Sequence, residues 1–158
     1  MKAIVTGSYD PITLGHVEII KKAALLYDEI FVVAFLNEKK EYLFTLEEKK
    51  AIMKASLENI SNVTIDTFDG LTADYMHKHG ISIIIRGIRN EEDELYELDL
   101  ANKMRAFDSS FQTIFIPSDE KYRNISSSLV REKIKSGESI KGLVSPKADE
   151  KIKEILTN

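Results

Sequence analysis

The property that most restricts what this chain can fold into is a regular alternation. Short apolar runs are separated by longer stretches whose apolar residues recur at helical spacing. Ala3-Ile4-Val5 reads as a buried strand. Gly15 to Leu26 follows as a helix with Val17, Ile20 and Ala24 on its apolar side. Ile30 to Leu36 is a second strand. Thr45-Leu46-Glu47-Glu48 has the spacing of a capping box, which starts a helix to about Leu57. Val63 to Phe68 is a third strand, followed by a helix near Ala73 to His79. Ile81 to Ile85, interrupted only by Ser82, reads as a strand covered on both faces, with Arg86 at its carboxyl end. A charged helix from Asn90 to Phe107, a strand at Thr113 to Ile116 and a helix from Ser126 to Lys135 come next. The last helix starts at Ser145, with the Ser as cap and Pro146 in the first helical position.

This order predicts an α/β fold: one doubly wound domain over residues 1–158, with a five-stranded parallel sheet and helices on both faces. Such sheets bind ligands at the carboxyl ends of their strands. Attention therefore falls on the segments after Val5, Leu36, Phe68, Ile85 and Ile116.

Composition narrows the chemistry. The net charge of -4 disfavours nucleic acid and anionic membranes as partners. With no Cys there is no disulfide, thiolate metal site or thiol nucleophile, and no apolar run is long enough to span a bilayer. These features suit a soluble intracellular protein. Of the 22 basic residues only five are Arg, and two of those share the tetrapeptide Arg86-Gly87-Ile88-Arg89. An acidic chain thereby concentrates positive charge at one strand end.

Four segments could carry chemistry. Thr6 to His16 combines a strand end, Gly7, an Asp10-Pro11 turn and a second glycine, Gly15, opening a helix. Its amides and His16 would meet an anion at the positive end of the helix dipole, with His16 as donor or cation; the alternative is a tight turn with a helix-capping histidine. Asn37 to Glu41 offers Lys39 and Lys40, either to a phosphate or to solvent. Arg86 and Arg89 can each pair with phosphate oxygens while Gly87 lets a nucleotide approach, or they can form salt bridges with Glu91, Glu92 or Asp93. Tyr122 to Arg131 places Ser126, Ser127 and Ser128 at a helix start, where one serine suffices as a cap and the others are free for an anion or incidental. Glu97 could hydrogen-bond a sugar or base. His77 and His79 read as surface or packing residues, and no cluster has metal-ligand spacing.

The order and spacing of these segments resemble the phosphopantetheine adenylyltransferase family of the nucleotidylyltransferase superfamily. The matching elements are G-S-Y-D-P-I-T-L-G-H at 7–16, the two lysines followed by F-T-L-E-E-K from 44, I-I-R-G-I-R at 84–89, Y-E-L at 96–98 and I-S-S-S-L-V-R at 125–131. The resemblance covers almost the whole chain. It departs at Ser8, Tyr9, Leu14 and Ile88, where Thr, Phe, a polar residue and Leu are usual; Ser8 keeps the hydroxyl. Nicotinate mononucleotide and glycerol phosphate nucleotidylyltransferases share the G-H element but differ later in the chain.

The resemblance implies a Rossmann-like fold and transfer of AMP from ATP to 4′-phosphopantetheine, giving dephospho-coenzyme A and pyrophosphate. It also implies a cytoplasmic homohexamer, Mg²⁺ arriving with ATP, and dephospho-coenzyme A and coenzyme A as product-like ligands. By matching position, Ser8, Lys40, Thr72 and Arg86 would contact phosphopantetheine. Ser8, Tyr9, His16, Gly87, Ile88, Arg89, Glu97, Tyr122, Arg123, Asn124, Ile125, Ser126, Ser127 and Ser128 would contact ATP. His16, Lys40 and Arg89 would be catalytic, with no metal-ligating side chain. A reading from a different class is a nucleotide-binding regulatory module without turnover.

Overall fold

The computed structural model describes residues 1–158. Five strands, β1 (Lys2–Gly7), β2 (Glu29–Phe35), β3 (Val63–Phe68), β4 (Ile83–Ile88) and β5 (Gln112–Pro117), form one sheet in the order β3-β2-β1-β4-β5. All the pairings are parallel. The connecting helices are α1 (Leu14–Leu26), α2 (Leu46–Leu57), α3 (Thr72–His79), α4 (Glu91–Phe107) and α5 (Ser127–Lys135), and α6 (Pro146–Leu156) closes the chain. A single 3-10 turn at Glu120–Tyr122 precedes α5.

Both faces of the sheet are covered, and the strand sequences account for this through their period of two. On β1, Ala3 and Val5 enter a core with Ile20 of α1, Ile52 and Met53 of α2 and Ile152 of α6. Ile4, between them, joins a second core with Phe31, Val33, Ile84 and the α3 residues Ala73, Tyr75 and Met76. Full burial of each such aliphatic side chain contributes about 1.5–3 kcal/mol.

The sequence signals for helix starts hold. Glu48 N–H donates to Thr45 Oγ1 at 3.1 Å and Thr45 N–H to Glu48 Oε1 at 2.9 Å, completing the expected capping box. Ser145 caps α6 with Pro146 behind it.

β1, β2 and β5 shift by one or two residues at their ends, and β4 differs most from its sequence-based position. β4 begins at Ile83 rather than Ile81 and runs on through Arg86 and Gly87 to Ile88. The early end is lost to a helix cap: Gly80 adopts φ 65°, and Ile81 N–H closes the last turn of α3 on Met76 O at 2.9 Å. The late end is held by the neighbouring strand, because Arg86, Gly87 and Ile88 pair with Phe115, Ile116 and Pro117. Arg86 is therefore a strand residue, not the first residue of a loop.

Candidate active site

In the strand order, the direction of winding reverses between β1 and β4, which leaves a crevice at their carboxyl ends. A cavity of about 310 Å³ occupies it, lined by Thr6 to Tyr9, Thr13, His16, Arg86, Gly87, Arg89, Asp93, Glu97 and the serines at the start of α5. Sequence-distant elements converge here because each ends at the same edge of the sheet.

His16 sits in the first turn of α1 and takes part in its cap. Thr13 N–H donates to His16 Nδ1 at 2.9 Å, and His16 N–H donates to Thr13 Oγ1 at 3.4 Å. This is a capping box with histidine where glutamate is common. Because Nδ1 accepts, the proton of the neutral ring is on Nε2, the nitrogen left for a ligand. Burial, with added repulsion from Arg89 and Arg86, lowers the His16 pKa to about 4. The ring is neutral at neutral pH, so the cationic role considered from sequence does not apply to the free protein. Helix capping and cavity lining, separate possibilities in the sequence, coexist in one side chain.

Tyr9 packs its ring against His16 at 5.0 Å and donates its hydroxyl to Val5 O at 3.0 Å. Burial raises its pKa, so the phenol stays neutral and its hydroxyl proton is committed to the backbone.

The two arginines hold carboxylates in this state. Arg86 Nε and Nη2 donate to Glu97 Oε2 and Oε1, both at 2.8 Å, and Nη1 donates to Thr6 O at 2.7 Å and Thr6 Oγ1 at 2.8 Å. Only Nη2 keeps an uncommitted hydrogen. Burial works against its charge, but the hydrogen bonds and charge of Glu97 outweigh this and raise its pKa. Glu97, expected at ATP, is thus turned onto Arg86. Arg89 pairs with Asp93 through Nε at 2.9 Å and Nη2 at 3.3 Å, and reaches Ile125 O at 3.4 Å through Nη1. Nη1 and Nη2 each retain a hydrogen that can point at a ligand. Burial pushes the Asp93 carboxyl up, but Arg89 overrides it and the net shift is downward. Of the acidic partners considered from sequence, only Asp93 is used; Glu91 and Glu92 stay exposed.

Gly87 has a packing reason as well as a place in the cavity wall. A Cβ there would lie 3.0 Å from Ile19 Cγ1 of α1, so the missing side chain lets β4 and α1 approach.

The α5 serines divide their work. Ser126 Oγ accepts from Leu129 N–H at 3.1 Å, Ser127 Oγ donates to Pro11 O at 2.7 Å, and Ser128 Oγ accepts from Arg131 Nη2 at 3.1 Å. None is incidental. Ser126 and Ser128 keep their hydroxyl hydrogens, and the amides of Ser127 and Ser128 are unsatisfied donors at the helix start. The segment leading to them is pinned by Glu18 of α1, which accepts from Asp119 N–H at 3.0 Å and pairs with Lys22 at 2.6 Å.

Among the residues singled out in the sequence, Ser8, Tyr9, His16, Arg86, Gly87, Arg89, Glu97 and Ile125 to Ser128 line this cavity. Ile88, Tyr122, Arg123 and Asn124 lie outside its lining. Thr72 lines a smaller adjoining recess with Met104, which shares Thr6, Arg86 and Glu97 with the main cavity. Lys40 is in an exposed turn outside both. Sequence reasoning missed Thr13, Ser118, Glu18 and, as a cavity residue, Asp93. The spacing of four from Arg89 was the available signal for Asp93. No group of three metal-ligating side chains comes together, and no helix is long and apolar enough to cross a membrane.

Residues 4–133 match the family model described as cytidylyltransferase-like. The phosphopantetheine adenylyltransferase of Dictyoglomus turgidum is 44% identical over 154 residues, covering 98% of this chain and 96% of that protein. Those of Clostridium novyi and Thermotoga neapolitana are 40% and 39% identical, each over 98% of this chain and 94% and 98% of their own. A solved structure from Vibrio parahaemolyticus, provisionally assigned as a nicotinate-nucleotide adenylyltransferase, superposes with a TM-score of 0.73 over 97% of this chain and 91% of that one. At 15% identity it supports the fold alone, a Rossmann-like parallel sheet with helices on both faces. Full-length identity to these relatives, together with a crevice that gathers the G-H, R-G-I-R and I-S-S-S elements, makes this chain a member of the phosphopantetheine adenylyltransferase family.

Proposed function

We propose that the enzyme transfers AMP from ATP to 4′-phosphopantetheine, giving dephospho-coenzyme A and pyrophosphate, the penultimate step of coenzyme A synthesis. The observation that carries the chemistry is the convergence, on one cavity, of His16 Nε2–H, the uncommitted Arg89 hydrogens and the free amides at the start of α5. All are donors, and a transferring phosphoryl group needs donors at its oxygens.

The reaction proceeds by direct in-line displacement. An oxygen of the acceptor's terminal phosphate attacks the α-phosphorus of ATP, and the bond from that phosphorus to the bridging oxygen breaks as pyrophosphate leaves. The attacking oxygen is already anionic near neutral pH, so no strong base is required. His16 donates from Nε2 to an α-phosphate oxygen, and its pKa rises as negative charge arrives, which strengthens that donor where charge develops. Arg89 and the α5 amides and hydroxyls of Ser126 and Ser128 hold the β and γ phosphates. Ser8, the remaining Nη2 hydrogen of Arg86 and Lys40 meet the acceptor phosphate, with Thr72 along the pantetheine arm. Lys40 reaches toward the reacting groups with its long, flexible side chain from an exposed turn. Tyr9 contributes through its backbone and as the wall behind His16. Gly87, Ile88, Glu97 and the span Tyr122 to Ile125 complete the nucleotide side of this reading.

Magnesium enters as the counter-ion of ATP. Asp93 and Glu97 are the carboxylates of the cavity wall, and both face arginines, so the chain's own residues do not fit a resident Mg²⁺. The ion belongs to the triphosphate and its water. A cytoplasmic homohexamer is part of the same reading; exposed Leu95, Tyr96, Leu98 and Phe107 along α4 support an assembly, since such a strip is unfavourable in water. Coenzyme A and dephospho-coenzyme A would occupy the acceptor side as product-like ligands.

The test is parallel incubation of the enzyme and MgATP with phosphopantetheine, nicotinate mononucleotide or glycerol phosphate, measuring pyrophosphate. Release with phosphopantetheine is expected. Release only with another acceptor would keep the chemistry and discard the substrate, and ATP binding without any release would favour a sensor.

A further inference from the structure

Asp10 is a charged residue beside the cavity that the reaction just described does not use. It is 1% exposed, and both of its carboxylate oxygens are engaged by backbone amides from another part of the chain. Leu43 N–H donates to Oδ2 at 2.9 Å and Phe44 N–H to Oδ1 at 3.0 Å. Those amides lie between the Lys40 turn and the cap of α2. The backbone carbonyl of Asp10 accepts from Arg131 Nη1 at 2.9 Å, the same nitrogen lies 3.8 Å from Asp10 Oδ2, and Arg131 Nη2 donates to Ser128. The next carbonyl, that of Pro11, accepts from Ser127.

We propose that Asp10 is a positioning residue: its carboxylate ties the turn carrying Lys40, and its carbonyl ties the start of α5, to the segment that carries His16. The proposal rests on the reading of Lys40 and the α5 serines as phosphate contacts.

The surroundings of Asp10 fit this role. Lys49 of α2 is 1% exposed and its Nζ has no hydrogen-bond partner, yet it lies 3.5 Å from the centroid of the Tyr42 ring. Tyr42 in turn accepts from Asn37 N–H at 2.9 Å, and Lys40 N–H closes the turn on Asn37 O at 3.0 Å. The Lys40 turn is thus held at its far end through Asp10 and at its near end through Tyr42 stacked on Lys49. Burial lowers the Lys49 pKa, with Asp10 opposing that shift and Arg131 and Lys40 adding to it. The buried carboxylate of Asp10 therefore has Lys49 and Arg131 as its cationic neighbours, the latter at 3.8 Å, while Lys40 acts on Lys49. In-line transfer is sensitive to such placement, and a shift of about 1 Å in a reacting group can cost on the order of 100-fold in rate.

Two measurements test the proposal. In the wild-type protein, hydrogen exchange at the Leu43 and Phe44 amides is followed by NMR with and without MgATP. Slower exchange with ATP is expected, since tightening at α5 passes through Asp10; equal exchange would overturn the coupling. In the second, kcat is compared for Asp10→Asn, Lys40→Met and the double variant. Asparagine keeps one acceptor and opposes the other amide with its own N–H. Asp10→Asn should then lower kcat roughly 10- to 100-fold, with Lys40→Met costing less than about twofold further in that background. Independent, multiplicative losses would mean that Asp10 acts only on stability. If Asp10→Asn does not fold, the exchange measurement decides. Failure of the wild-type enzyme to use phosphopantetheine would remove the substrate reading while leaving the ATP-dependent exchange test intact.

Discussion

The backbone N–H of Thr13 donates to Nδ1 of His16 at 2.9 Å, so a single hydrogen bond both caps α1 and fixes which nitrogen of the cavity histidine carries its proton. A side chain that would otherwise rotate is held with Nε2–H available to the cavity, at the end of the helix where backbone N–H groups converge.

Replacement of His16 should separate catalysis from binding. His16→Ala removes one preorganised donor, worth about 3–4 kcal/mol in the transition state, or on the order of 10²–10³ in kcat. Loss of its part in the cap should destabilise the fold by only about 1 kcal/mol. Pyrophosphate release and thermal melting measure the two effects, and near-normal turnover would sink the assigned role.

The lowered pKa of His16 makes a signed prediction for pH. The unfolded ring takes up a proton near 6.5 and the folded ring only near 4, so the favourable difference present above pH 6.5 is lost as pH falls toward 4. The loss amounts to about 3 kcal/mol at most. ATP brings negative charge to the ring and raises its pKa, so binding near pH 6 should take up protons. Calorimetry in buffers of different ionisation enthalpy reads this directly, and His16→Asn should abolish the uptake.

Glu97 is buried and Arg86 largely so, and removal of one partner leaves the other without compensation. Glu97→Ala should destabilise the fold by roughly 3 kcal/mol, measured by urea unfolding. Arg86→Lys should instead retain the charge but lose the fork that holds both Glu97 oxygens and Thr6, raising KM for phosphopantetheine more than KM for ATP.

Gly87→Ala should cost about 1–3 kcal/mol through overpacking against Ile19. Ile19→Ala in the same chain should make the further cost of Gly87→Ala much smaller, because it removes both Cγ1 and Cδ1, the atoms the new methyl would meet. Urea titration of the two single variants and the double measures the coupling, and strictly additive losses would place the cause elsewhere.

Local signals were the most legible part of the fold. The capping boxes and the Ser145-Pro146 start were readable because each involves neighbouring residues only. The end of α3 was harder, since Ile81 has the composition of a strand but gives its N–H to the helix cap. In the site, Ser8, His16, Arg86, Arg89 and the three serines were legible from their position after strands or at helix starts. Asp93, Ser118 and Glu18 were not, because charged or hydroxyl residues in those positions are usually solvated and only their partners distinguish them. Asp10 was read as a turn residue, and nothing local indicates that its carboxylate reaches Leu43 and Phe44.

By itself, the sequence determined the alternating α/β architecture, both faces of the sheet, the donor-rich character of the segments at the strand ends and the family to which they belong. These depend on periodicity and on residue types at short spacing. The tertiary structure alone decided the electrostatic state of the site. It gave His16 its tautomer and its neutrality, turned Glu97 onto Arg86 and Asp93 onto Arg89, and buried Asp10 between the Lys40 turn and α5. Hydrogen-bond pairing and desolvation depend on which groups meet across the fold, and those meetings follow from packing rather than from neighbourhood in the chain.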